Sequence, residues 1–141
     1  MKFQKITGQA IRIVGYLNAN GNDVVPSKKI SEDLDISYQI CIKISNMLKR
    51  GRIISTTRGI YGGYRLTKSI SKISLFDIVS LTEGPLSIYS DLEDEPAYRS
   101  KRTGKKKRKD ELFPVQAVFL KLQDSLINEM KNTSLADLWE D

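Results

Sequence analysis

Three observations predict a mostly α-helical α+β fold, in which a helix-turn-helix is followed by a two-stranded hairpin and a long C-terminal helix. Apolar residues recur at helical spacing through successive segments, glycines crowd one short β-like stretch, and a cap-and-stop sequence leaves only a few residues between two helices. At 141 residues, 40% hydrophobic and 28% charged, the chain suits one packed domain carrying an appended element.

The first helix is expected over about residues 7–19. Ile6, Ala10, Ile13, Val14 and Leu17 line one face there, and Asn18-Ala-Asn-Gly21 stops it. Val24-Val25-Pro26 reads as an extended connector, because proline turns its predecessor away from helix. Ser27 is expected to cap a second helix over 28–34, and Leu34-Asp-Ile-Ser37 to form a tight turn. Ser37 then caps a third helix running to about Arg50. One face of it carries Ile40, Cys41, Ile44, Met47 and Leu48, and the other Tyr38, Gln39, Ile42, Lys43, Asn46 and Lys49.

Gly51 is expected to end that helix. Strands at Ile53–Thr56 and Tyr64–Leu66 follow, joined by the glycine-rich loop Arg58–Gly63, which makes a β-hairpin wing. Ser74-Leu-Phe-Asp77 has the spacing of a capping box opening a fourth helix, and Gly84-Pro85 closes it. Residues 86–111 show no stable periodicity. Pro114 suits the first position of a long helix over 113–131. Its first apolar stripe is Val115, Val118, Phe119, Leu122, Leu126 and Met130, and its second is Phe113, Leu120 and Ile127. A small domain offers one partner, so Phe113, Leu120 and Ile127 are expected at a homodimer interface. A short terminal helix holds Leu135, Leu138 and Trp139. The domain plan is therefore 1–84 for the winged helix-turn-helix, 85–112 for a charged loop, and 113–141 for the dimerisation helix and tail.

Composition narrows the function classes. One cysteine, Cys41, and no histidine leave no intramolecular disulfide and no ordinary Cys/His zinc site, so neither metal nor cofactor is expected. No nucleophile-base pairing or nucleotide fingerprint is visible, which argues against an enzyme. No segment approaches the roughly 20 apolar residues of a membrane span, so a cytoplasmic protein is expected. A net charge of +6 suits a polyanionic partner. The charge is uneven: residues 1–66 hold 11 Lys/Arg against 4 Asp/Glu, and residues 67–141 hold 12 against 13.

A helix-turn-helix with a following wing fits double-stranded DNA, with the second helix in the major groove and the wing against backbone or minor groove. On that helix Tyr38, Gln39, Ile42, Lys43 and Asn46 face outward. Gln39 suits adenine, Lys43 guanine, and Ile42 a thymine methyl. Arg58 suits a narrow minor groove, Tyr61, Gly62 and Gly63 let the wing come close, and Lys28, Lys29, Ser37 and Arg65 suit phosphates. The basic run Lys101, Arg102, Lys105, Lys106, Lys107, Arg108 and Lys109 reads either as a solvated loop or as an auxiliary phosphate clamp. Cys41 reads as a small buried hydrophobe, with a redox switch as the alternative. A protein-interaction module is the competing function, since winged helices serve both ends.

Arg58-Gly-Ile-Tyr-Gly-Gly-Tyr-Arg-Leu, with Ile73-Ser-Leu-Phe-Asp-Ile-Val and Glu83-Gly, closely resembles the Rrf2 family of bacterial transcription regulators over residues 1 to about 86. The likeness resumes more weakly in the long helix and in Thr133-Ser-Leu-Ala-Asp-Leu-Trp. The resemblance implies a homodimeric winged-helix repressor or activator on a two-fold operator, with half-sites roughly 34 Å apart. Family members that hold an iron-sulfur cluster place three cysteines between the fourth and long helices, at about residues 88–111 here, where this chain has none. A cluster-free regulator is implied, with a small molecule or partner protein as candidate effector. Many relatives also have Glu where Ile42 stands and a basic segment where Ile6-Thr-Gly-Gln stands, so a different target sequence is expected.

Overall fold

A computed structural model describes residues 2–89 and 109–139, with side chains throughout except at 109–113. The described elements are α1 (Lys5–Ala19), α2 (Ser27–Leu34), α3 (Tyr38–Arg50), β1 (Ile54–Thr57), β2 (Gly63–Leu66), a 3₁₀ turn (Ile70–Lys72), α4 (Leu75–Glu83), α5 (Lys109–Asn132) and α6 (Leu135–Trp139). This is the expected winged-helix architecture, and the 3₁₀ turn is an addition to it.

The chain forms two compact units: one of Lys2–Gly84 with the tail from Met130, the other of Pro85–Glu129. The tail thus belongs with the winged helix, whereas the domain plan from sequence grouped it with the long helix. Ile13, Leu17, Ile30, Ile44, Leu48 and Leu135 are completely or almost completely buried in the core of the first unit. Each such side chain stabilises the fold by about 1.5–3 kcal/mol through burial. Leu135 reaches this core because the chain pairs with itself: Leu75 N–H donates to Thr133 O and Leu135 N–H to Ile73 O, both at 2.8 Å. The bridge sets Ser74 opposite Ser134, and each serine exchanges capping-box bonds with the aspartate three residues on, Asp77 or Asp137.

Local chemistry fixes the helix ends that frame α3. Ser37 Oγ accepts the Ile40 N–H at 3.2 Å, as a cap should. The turn before it places Asp35 in the left-handed region at φ 53°, which aspartate tolerates better than most residues. At the other end the helix stops at Gly51 as expected, but without a left-handed glycine. Gly51 has an ordinary φ of −77°, and Arg52 takes the left-handed position at φ 58°. Ile53 N–H bonds Leu48 O and Arg52 N–H bonds Lys49 O, which closes the helix as a Schellman motif. Gly51 answers a packing demand instead, since a Cβ there would lie 2.4 Å from Leu81 Cδ1 of α4.

Two further expectations are corrected. Ser27 is not a cap: Pro26 occupies that position, with no side-chain bond, and Ser27 is the first helical residue. Pro114 does not open α5, which begins at Lys109. A proline five residues into a helix withholds the N–H that the carbonyl four residues earlier would accept, a cost borne within the first turns. In the second unit, Tyr89 stacks on Phe119 at 4.4 Å between ring centroids, and Ile88 N–H donates to Gln123 Oε1 at 3.1 Å. Val115, Val118, Leu120 and Leu122 of α5 are all exposed. The first apolar stripe is therefore as open as the second over this stretch.

Candidate nucleic-acid interface

The face of α3 divides as its sequence spacing requires. Cys41, Ile44 and Leu48 are fully buried, as is Ser45. Tyr38, Gln39, Lys43 and Asn46 are exposed, and Ile42 is half-buried among them. The helix therefore offers solvent an aromatic ring, two amides and an ammonium group, the donors and acceptors that base edges require.

The wing is built on backbone pairing. Ile54 opposes Leu66, Ser55 opposes Arg65, Thr56 opposes Tyr64 and Thr57 opposes Gly63. Val25 adds a third lane, since its N–H donates to Tyr64 O at 2.9 Å and its carbonyl accepts the Tyr64 N–H at 2.8 Å. Gly63 is required there, because a Cβ on it would sit 2.4 Å from the Val25 carbonyl group. Gly62 is required at the turn, where a Cβ would meet Thr57 O at 2.2 Å. The loop lifts Ile60 and Tyr61 almost wholly into solvent, at 95% and 92% exposed, with Arg58 and Arg65 exposed beside them.

The candidate phosphate contacts are not equivalent. Lys28 is exposed. Lys29 is exposed but paired with Asp33 at 3.0 Å. The Tyr16 hydroxyl and Lys29 hold the Asp33 carboxyl below the usual carboxylate range, and the hydrogen bond to Asp33 raises Lys29. Lys29 must give up this surface pair to meet a phosphate, a small cost for an exposed ion pair. Ser37 is exposed with its oxygen engaged at the cap. Lys101, Arg102, Lys105, Lys106, Lys107 and Arg108 lie outside the described residues, and Lys109 opens α5 with its side chain outside the description, as is that of Phe113. Leu120 is exposed and Ile127 half-buried.

Sequence reasoning missed a polar clasp at the start of α1. Glu83 accepts the Gln4 N–H and the Thr7 hydroxyl, both at 2.6 Å, and Thr7 meets the buried Thr82 at 2.7 Å. If Thr7 donates its single hydroxyl proton to Glu83, Thr82 donates to Thr7 at the expense of its own 3.1 Å bond to Ile78 O. Glu83 stood in the sequence only as part of Glu-Gly at a helix end, and partners more than seventy positions away leave no local signal.

The model of a family described as "Iron-dependent Transcriptional regulator" matches residues 3–141. The chain belongs to the Rrf2 family. Protein aau3 of Rhizobium meliloti (strain 1021) is 36% identical over 83 residues, 59% of this chain and 54% of its own length. The chain thus spans about half of that relative. The HTH-type transcriptional regulator CymR of Bacillus subtilis (strain 168) is 26% identical over 120 residues, 84% of this chain and 75% of its own. Among solved structures, B. subtilis CymR superposes with a TM-score of 0.70 at 22% identity, covering 100% of this chain and 99% of that one. T. potens IscR superposes at 0.68 and 20% identity, covering 98% and 85%. These structures share the fold, and the family is one of transcription regulators and not of enzymes.

An iron site in this Rrf2 chain would have to be built from its own side chains. The chain holds one cysteine and no histidine. Cys41 is completely buried in the core, and burial pushes its thiol above the usual range, with the neighbouring Ser31 side chain acting in the opposite sense. Among the described residues no three Cys, His, Asp or Glu side chains converge. A thiolate-ligated cluster has no ligand set here. The same burial argues against the redox reading of Cys41, since a reactive thiol needs access and a lowered pKa. No helix among the described residues is long and apolar enough to cross a membrane.

Proposed function

We propose that this Rrf2 regulator binds a two-fold symmetric DNA operator as a homodimer and represses transcription, working in the cytoplasm without a metal cofactor. The observation that carries the reading is the exposed polar face of α3, with Tyr38, Gln39, Lys43 and Asn46, in a winged helix whose hairpin stands in solvent. In this reading Gln39, Ile42, Lys43 and Asn46, flanked by Tyr38, read base edges in the major groove. Arg58 enters the minor groove beside Tyr61, Gly62 and Gly63, while Lys28, Lys29, Ser37 and Arg65 hold phosphates. The run from Lys101 to Lys109 adds phosphate contacts. Leu120 and Ile127, with Phe113, face the second copy.

Shift assays with genomic fragments across a salt series test this. A footprint with two equivalent half-sites, and an affinity that falls linearly in log salt, is expected. Arg58→Ala should cost about 1–3 kcal/mol of specific binding and leave the melting temperature unchanged, because Arg58 is exposed. Full binding by that variant at moderate salt would remove Arg58 from the interface. The apolar wing tip, Ile60 and Tyr61, favours a second reading in which the wing docks on a partner protein. Absence of salt-dependent DNA binding by the intact chain would favour that alternative.

A further inference from the structure

A groove of about 460 Å³ runs between the start of α1 and the helix-turn-helix, bounded by Gln4, Lys5 and Gln9 on one side and Asp35, Ser37 and Lys43 on the other. Its floor is the apolar set Ile6, Ile36 and Ile40, all packed on the core, so its walls are held at a fixed spacing. Arg12 strengthens that hold by donating from Nη2 to Leu34 O at 2.8 Å, tying α1 to the turn. The Glu83 carboxylate fixes the Gln4 backbone from the α4 side.

Two of these wall residues, Ser37 and Lys43, already belong to the face assigned above to DNA. The groove extends that face onto α1. Lys5 and Lys43 supply two exposed ammonium groups from different elements, and Gln9 supplies a neutral amide donor, while the Gln4 amide donates to Glu83 Oε2 at 3.5 Å. The positive end of α3 opens into it with no acidic residue in its first turn and a neutral serine as cap. Asp35 opposes on the same wall, and Glu83 at the Gln4 N–H weakens the contribution of the α1 terminus. We propose that this groove seats one backbone phosphate of the DNA strand flanking the bases read by α3, with Lys5 as its charged ligand and Gln9 as its neutral one. A DNA phosphate is favoured over a free anion because the groove is continuous with the reading face. The inference rests on the DNA-binding reading and adds α1 to the interface.

The test uses the full chain and two variants of opposite sign, titrated on one operator fragment and on one unrelated duplex across a salt series. Lys5→Gln should weaken binding to both duplexes about two- to tenfold and flatten the log K against log salt slope by about 0.9 for each copy bound. Asp35→Asn, which keeps a residue tolerant of the left-handed turn, should strengthen binding to both. Lys2→Gln, an exposed lysine outside the groove, is the reference and should do less than Lys5→Gln. Equal melting temperatures exclude misfolding as the cause. A normal slope for the intact chain that Lys5→Gln leaves unmoved, or moves no more than Lys2→Gln, overturns the groove alone. Lack of any salt-dependent DNA binding by the intact chain overturns the underlying reading as well.

Discussion

Ser45 and Cys41 lie one helical turn apart on the buried side of α3, and both are polar atoms in an apolar setting. Ser45 Oγ is fully buried without a hydrogen-bond partner. Removing a buried hydroxyl that has no partner relieves its desolvation cost, so Ser45→Ala should be neutral or stabilising by up to about 1–2 kcal/mol in chemical denaturation. A loss of stability would mean that the hydroxyl is satisfied in solution. Cys41 keeps its proton above the ordinary thiol range in the folded chain. The unfolded thiol ionises near about 8.5, so the contribution of Cys41 is intact below that pH and declines as pH rises beyond it, at up to about 1.4 kcal/mol per unit. Cys41→Ala should flatten this alkaline decline. Thiol reagents should modify native Cys41 only as fast as the core opens, and rapid labelling would restore the redox reading.

The wing and the recognition helix show how far an element can be read from its residues. The two faces of α3 follow from apolar positions three and four apart, and its cap from Ser37. The wing follows from glycines between β-prone stretches. What each glycine does there is a tertiary matter: Gly63 admits the Val25 carbonyl, and Val25 lies nearly forty positions away in sequence. Gly63→Ala should therefore strip Val25 from the sheet and destabilise the fold by about 1–3 kcal/mol, with DNA binding falling in parallel. Retained stability and wild-type affinity would show that the backbone gives way easily. Helix ends were less legible. Arg52 takes the left-handed position beside an available glycine, and Gly51 packs against Leu81. Pro114 looked like an N-terminus yet sits inside α5.

For the molecule as a whole, the exposed apolar residues of α5 call for a cover. Val115, Val118 and Leu122 on one side and Leu120 on the other are 45–57% exposed. A solvated helix would not expose apolar residues on two sides unless something covers them, and over Leu120 and Ile127 a second copy is the occupant that the proposed operator symmetry requires. Leu120→Glu with Ile127→Glu should shift sedimentation from dimer to monomer and reduce operator affinity by far more than affinity of one half-site. A dimer that survives the double change would place the interface elsewhere.

The sequence by itself determined the class of the molecule, because periodicity, caps and turn chemistry act over a few residues. It determined the split faces of α3, the wing, the basic N-terminal half and the lack of a cysteine set for a cluster. Tertiary structure alone decided which polar groups meet. The Glu83 clasp on Gln4 and Thr7, the Val25 lane of the wing, the return of Leu135 to the core and the groove between Lys5 and Lys43 all join positions far apart in the chain. Contacts of that kind are set by the packing of whole elements, which local pattern does not encode.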